Sequence, residues 1–352
     1  MSLFTRPALP RPAPRAFARW LLVVAALVLL IVAVGGITRL TESGLSITQW
    51  KPIRGIVPPL NDAQWQEEFA GYRRIPQYAA FNAGMTLGGF KHIYFWEYLH
   101  RLLARAIGTV LALVLLVFWW RRAIPKGYGR RTVAILLLGA LQGVVGWWMV
   151  ASGLEYRTEV SPYRLAIHLL TALLIYGVLI WTALDLFALA RRPSAQRARL
   201  TGLGTVAIAT LVIQIMLGAF TAGLRAGYAF ASWPLMGDRL FPAGGWNSAT
   251  NALTNLTANP VVVQFVHRWW AWIAAGAVLL LARRARRSGR GPTHAVATAV
   301  VLQILLGIAT LMSGVKIEIA VAHQAMAALL LAATIWAAHA VGGERAAGRV
   351  AA

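Results

Sequence analysis

The chain has 352 residues, 59% hydrophobic and only 13% charged, with no cysteine. Soluble domains are about a quarter charged, so this is an integral membrane protein, and disulfides, thiolate metal sites and cysteine nucleophiles are excluded. The formal net charge of +23 does not point to nucleic acid, because the arginines stand in short blocks between apolar runs rather than along one polar face.

Eight runs are long enough to cross about 30 Å of hydrocarbon, which takes roughly 20 helical residues. They fall near 20–38, 93–119, 132–152, 164–187, 203–223, 261–282, 294–313 and 318–340. The tail before the first, with Arg6, Arg11, Arg15 and Arg19, resembles a signal n-region. The run behind it is too long and lacks a small-residue cleavage site, so it reads as a retained helix. Basic blocks at Arg121–Arg131, Arg191–Arg199 and Arg283–Arg290 follow runs two, four and six. With the tail, all fall on one side. The positive-inside rule makes that side the cytoplasm and puts both termini there.

Two long connections lie on the outer side. In the first, roughly 39–92, Asn61 and Gln64 form a capping signal, and Trp65, Phe69 and Tyr72 form a helical apolar stripe. This predicts a short amphipathic helix on the outer surface, either a lid or an ordinary loop helix. The second, roughly 224–260, is rich in Gly, Asn and Trp and has no charge cluster.

The second run opens on Phe95-Trp96-Glu97-Tyr98-Leu99-His100-Arg101, where Glu97 and His100 share a helix face. Charges in a spanning helix are costly and mark function by default. The stretch recurs as Gln264-Phe265-Val266-His267-Arg268, an offset of 267 − 100 = 167, with Gln in place of Glu. Gln142-xxx-Gly146 recurs as Gln303-xxx-Gly307 at 161, Gly35, Thr38 and Gly44 recur as Gly218, Thr221 and Gly227 at 183, and His168 recurs as His323 at 155. The chain is thus a duplication. The expected fold is all-α, with eight transmembrane helices as two parallel-repeat four-helix bundles, because an even number of helices per copy preserves topology. The expected division is a basic tail 1–19, a first repeat 20–190, a second repeat 200–341 and a tail 342–352. Glycines on the odd-numbered helices permit close approach of a backbone or a flat ligand.

Four of the seven histidines, His100, His168, His267 and His323, are repeat-matched, on even-numbered helices near their outer ends. His92, His294 and His339 fall at helix ends and are set aside. A zinc site usually takes four ligands, or three and a water. One His from each of two facing helices instead suits axial ligation of a haem in a four-helix bundle. Two copies imply two haems. Arg101 and Arg268 then stand where they would pair with haem propionates, or snorkel to headgroups.

On these residues, with Gly35-Gly36-Ile37-Thr38-Arg39-Leu40-Thr41 leading to Gly44-Leu45-Ser46, the chain resembles the haem A synthase family over about residues 20–340. The resemblance implies oxidation of the C8 methyl group of haem O to a formyl group. It further implies a permanent haem b on His267 and His323, substrate haem O on His100 and His168, and Glu97 as the catalytic carboxylate. The bacterial inner membrane, a haem O-producing enzyme as partner and an electron acceptor of unknown identity come with it. Some members carry a cysteine pair in the first outer loop; this chain has none, so that redox role does not apply. The residues themselves agree with the division of labour. A haem that only passes electrons needs no acid or base, so Gln264 suffices, whereas a reacting haem edge needs a proton-handling group such as Glu97. A diheme b-type electron-transfer cytochrome is the alternative, with no special need for Glu97. A haem transporter would need broken helices at the midplane, and none stands out.

Overall fold

The computed structural model describes residues 12–51 and 54–348; Arg6, Arg11, Pro52 and the last four residues lie outside them. The order is α1 (Pro14–Leu40), a 3-10 turn (Arg54–Ile56), α2 (Asp62–Tyr72), α3 (Pro76–Phe81), α4 (Leu87–Trp120), α5 (Gly129–Leu154), α6 (Pro162–Arg191), α7 (Gly202–Gly223), a second 3-10 turn (Ala226–Tyr228), α8 (Ala252–Ala258), α9 (Pro260–Ala285), α10 (Arg290–Met312) and α11 (Ile317–Gly348). Eight of these, α1, α4 to α7 and α9 to α11, are long and apolar enough to cross a membrane. The protein is an all-α, multi-pass membrane protein.

Local chemistry starts the helices where the sequence says. Proline occupies the first turn of α1, α6 and α9, where its missing N–H is not needed. Thr86, Thr201 and Asn259 cap α4, α7 and α9 by accepting from backbone N–H groups two or three residues on. The spans extend beyond their apolar cores, α4 by 93 − 87 = 6 residues at its start. It starts at Leu87; its extra turns carry Phe90, and Tyr94 stands at the beginning of the apolar run. Asn61 caps α2 as expected, and the Trp65–Phe69–Tyr72 stripe packs on those two rings. This amphipathic helix is therefore clamped to the N-terminal end of α4. The short α3 and α8 were not expected.

In the first group α1 packs on α4 and α6, and α5 on α4 and α6; in the second α7 packs on α9 and α11, and α10 on α9 and α11. The groups meet through α6–α7, α1–α11 and α6–α11. Exchanging α1, α4, α5 and α6 for α7, α9, α10 and α11 reproduces each of these pairings; α9 also packs on α11, without a counterpart of like extent between α4 and α6. The two helices at the centre, α6 and α11, are buried along much of their length. By contrast α5 buries only Thr132, Ile135 and Gly153, and turns most of its surface outward.

A charged network joins the groups where α1 and α7 end. Arg39 donates to Glu159 at 2.8 Å and to the Ala222 carbonyl at 3.1 Å, while Arg225 donates to both Glu42 and Glu159. Burial lowers the Arg225 guanidinium, but Glu159 and Glu42 outweigh this and leave it raised. Arg39 and Ala222, and Glu42 and Arg225, are each 183 positions apart, the same offset that relates Gly35 to Gly218. Each therefore touches its own counterpart in the other copy. Glu42 and Arg225 also share left-handed backbone, at φ 57° and 51°.

Candidate functional site

Each of the four matched histidines rests on a glycine of the preceding span. A Cβ added at Gly35 would lie 3.0 Å from Cε1 of His100, and one at Gly146 2.9 Å from Cε1 of His168. In the second copy the distances are 3.1 Å from Gly218 to His267 and 2.9 Å from Gly307 to His323. No alanine fits at such distances without movement, so the glycines let an imidazole edge lie against bare backbone. What the sequence offered as room for a backbone or a flat ligand is taken here by the ring itself.

The histidines stand at comparable depth. His168, His267 and His323 come 168 − 162 = 6, 267 − 260 = 7 and 323 − 317 = 6 residues after their helix starts. At 1.5 Å per residue this is about 9 to 10 Å. His100 comes 13 residues after Leu87, the difference being the extension that α2 covers. All four are half-buried. Within each copy the two imidazoles lie in electrostatic range of each other, His100 with His168 and His267 with His323.

Glutamines hold three of the rings. Gln142 lies 3.1 Å from Nδ1 of His168 and donates to its carbonyl at 3.0 Å, and Gln214 does the same to His267 at 3.1 and 3.0 Å. Gln303 reaches Nε2 of His323 at 3.5 Å, the outer limit of a hydrogen bond. Gln214 was not singled out in the sequence, although Gln-xxx-Gly before a histidine-bearing span marks it as it marks Gln142 and Gln303. Nδ1 of His100 and of His323 has no partner.

Glu97 is buried, and its carboxylate gathers three donors: Ser46 Oγ at 2.8 Å, the Ile47 N–H at 2.8 Å and Arg101 at 2.6 Å. Arg101 also donates to the Ile47 carbonyl at 2.9 Å. The carboxylate thus ties α4 to the loop that carries Gly44-Leu45-Ser46. In the second copy Gln264 and Arg268 hold the matching loop through its carbonyls. Gln264 donates to Phe230 at 3.0 Å, and Arg268 to Phe230 at 3.0 Å and Ser232 at 2.8 Å. Gln264 and Arg268 are both buried, and Nε of Arg268 has no partner. Both arginines spend donors on loop carbonyls, which neither propionate pairing nor snorkelling had called for.

Of the histidines set aside, His92 and His294 are exposed. His339 lies 2.9 Å from the buried carboxylate of Asp185, which also accepts from Arg131 at 2.7 Å and from the Ala198 N–H at 3.1 Å. In this cluster Asp185 and His339 stand 185 − 168 = 17 and 339 − 323 = 16 residues beyond the matched histidines of α6 and α11, about 25 Å further along the same helices.

Two imidazoles per copy, set against glycine cradles, with Nδ1 unpartnered at His100 and His323 and held by a glutamine at His168 and His267, fit the paired axial ligation that a haem iron takes. Among the described residues no cluster of three or more His, Cys, Asp or Glu side chains is formed.

Residues 18–335 match the family described as cytochrome oxidase assembly protein, COX15-CtaA. Among similar curated proteins is the haem A synthase of Rhizorhabdus wittichii, 67% identical over 340 residues, which are 96% of this chain and 98% of that one. The haem A synthase of Sphingopyxis alaskensis is 56% identical over 94% of this chain and 93% of its own. That of Novosphingobium aromaticivorans is 51% identical over 96% and 99%. No solved structure matches the chain. A family match across nine-tenths of the sequence, with relatives this similar end to end, places the chain in the haem A synthase family of cytochrome oxidase assembly proteins.

Proposed function

We propose that this chain oxidises the C8 methyl group of haem O to the formyl group of haem A. His100 and His168 hold the substrate, and His267 and His323 hold a permanent haem b. Taking a methyl group to a formyl group with water as oxygen source releases four electrons and four protons, so an acceptor outside this chain completes the reaction. When bound, the haem of the second copy supplies the one-electron redox chemistry that carries those electrons away. The chain's own residues orient the substrate and handle protons. The glycines fix the imidazole edges, α2 and the first outer loop cover the outer end of α4, and Glu97, one turn from His100, holds or moves a proton at its carboxylate.

The observation that carries this reading is the one chemical difference between otherwise matched frames. Both copies place an acid or amide three residues before the ligand histidine and bind it to the outer loop, but only Glu97 can exchange a proton near neutral pH. Its three donors favour a second reading, in which Glu97 is a strap for the loop and takes no part in proton transfer. Replacement by Gln, with chromatography of haems extracted from cells supplied with haem O, tests the first reading. Normal haem A yield would refute it.

The basic blocks orient the chain with both termini in the cytoplasm of a bacterial cell and the haems in the outer half of its inner membrane. The pairings preserved on exchange of the helix groups support two parallel repeats about an axis near the membrane normal. Haem O is the substrate; the enzyme that makes it is the expected partner.

A further inference from the structure

The glutamine clamp is missing at one histidine. Gln214 sits four residues before Gly218 on α7, and the same offset of 183 leads back from it to Ile31, four residues before Gly35 on α1. Ile31 offers no hydrogen bond and Nδ1 of His100 is left without a partner; Nδ1 of His323 is unpartnered as well, but there Gln303 reaches the ring at Nε2, so only the His100 ring has no carboxamide. Three ligand histidines thus have a carboxamide one turn from their glycine, and His100 has a hydrocarbon.

We propose that Ile31 makes His100 the releasable axial ligand, so that the first copy exchanges its haem while the second retains it. The proposal rests on the assignment of substrate and permanent haem given above. A carboxamide can donate to an unprotonated Nδ1 or accept from Nδ1–H, so it holds an imidazole in either tautomer. Partners of this kind fix ring orientation and ligand basicity, and removing one typically weakens metal binding roughly 10- to 100-fold. A permanent cofactor gains from that hold, given at Nδ1 of His267 by Gln214, while Gln303 places a carboxamide 3.5 Å from the other nitrogen of the His323 ring. A substrate that must arrive as haem O and leave as haem A gains from one held ligand, His168, and one free to turn away. Gly35 already limits the His100 ring on one edge, so the missing amide acts on its rotation and strength as a ligand. Ile31 is a positioning residue here, acting through His100.

The test uses full-length protein purified from cells supplied with haem O, with haem transfer to excess apomyoglobin followed by absorbance and the extracted haems identified by chromatography. Ile31→Gln is expected to raise the haem O and haem A that co-purify and to slow their transfer by about tenfold or more. Ile31→Leu should leave transfer unchanged. The reciprocal Gln214→Ile should speed loss of haem b by a similar factor and alter its low-spin ferric signal, which a purely structural role would not move. Unchanged transfer from Ile31→Gln overturns the proposal. If that variant does not accumulate, unchanged transfer from Gln214→Ile overturns it. Retention of haem b by His267→Ala also overturns it, and takes the site assignment with it; loss of haem b there, with unaltered transfer in both glutamine variants, removes the clamp alone.

Discussion

Ser46 Oγ donates to Glu97 at 2.8 Å across 51 positions of sequence, so the carboxylate proposed to move protons is also a fastening for the first outer loop. The two roles separate by mutation. Gln in place of Glu97 keeps the shape but turns one acceptor into a donor, which faces either Arg101 or the loop. Proton handling predicts bound haem with conversion of haem O reduced about 10²-fold or more. Ser46→Ala leaves the carboxylate and Arg101 in place and removes one bond worth about 0.5–1.5 kcal/mol. It should therefore reduce conversion by roughly tenfold at most. Equal losses in both variants, measured by haem chromatography, would make Glu97 a strap.

The histidine pairs should fail differently. His267→Ala or His323→Ala is expected to remove most haem b from the purified protein, read from its reduced spectrum. His100→Ala or His168→Ala should leave haem b in place and abolish haem A formation. Identical losses of spectrum and activity from the two pairs would favour the symmetric diheme cytochrome.

The glycine cradles give a control within one helix. Gly146→Ala puts a methyl group 2.9 Å from Cε1 of His168, whereas at Gly143 the same methyl group meets nothing within 4 Å. The first should weaken haem binding by about tenfold without loss of folded protein by size-exclusion chromatography; the second should change neither. Gly307→Ala should repeat the effect on haem b through His323.

Orientation is read by reporter fusions. Fusions after residues 125, 195 and 288 should report the cytoplasm, and fusions near 65 and 245 the outside. An external signal at any of the first three would reverse the placement of the histidine layer.

The eight spans and the repeat were legible because hydrophobic length and recurring His-Arg and Gln-xxx-Gly spacings are local properties of the chain. Cap residues such as Thr86 and Asn259 could then have refined the boundaries. The outward extension of α4 was harder to read, since Leu87–Ile93 is not uniformly apolar and is stabilised by rings from α2. Of what Glu97 touches, only Arg101, one turn on, was legible, because its other partners, Ser46 and Ile47, arrive from a loop about fifty residues earlier. The same holds for Asp185 and His339, 154 positions apart and unmatched in either copy. Gln214 was within reach. It falls in an apolar run where the recurring Gly218 drew the comparison to itself.

The contact between Glu42 and Arg225 bears on how such a chain could arise and be divided. The two positions are counterparts, so two identical first halves, docked as the halves dock here, would set Glu42 against Glu42. Two second halves would set Arg225 against Arg225. Like charges in that position oppose self-association, while the mixed pair attracts and recruits Glu159. Expressed as separate fragments, the halves should seek each other in preference to their own kind, and the partnership between a site that turns over its haem and one that keeps it is written into the seam as well as into the ligands.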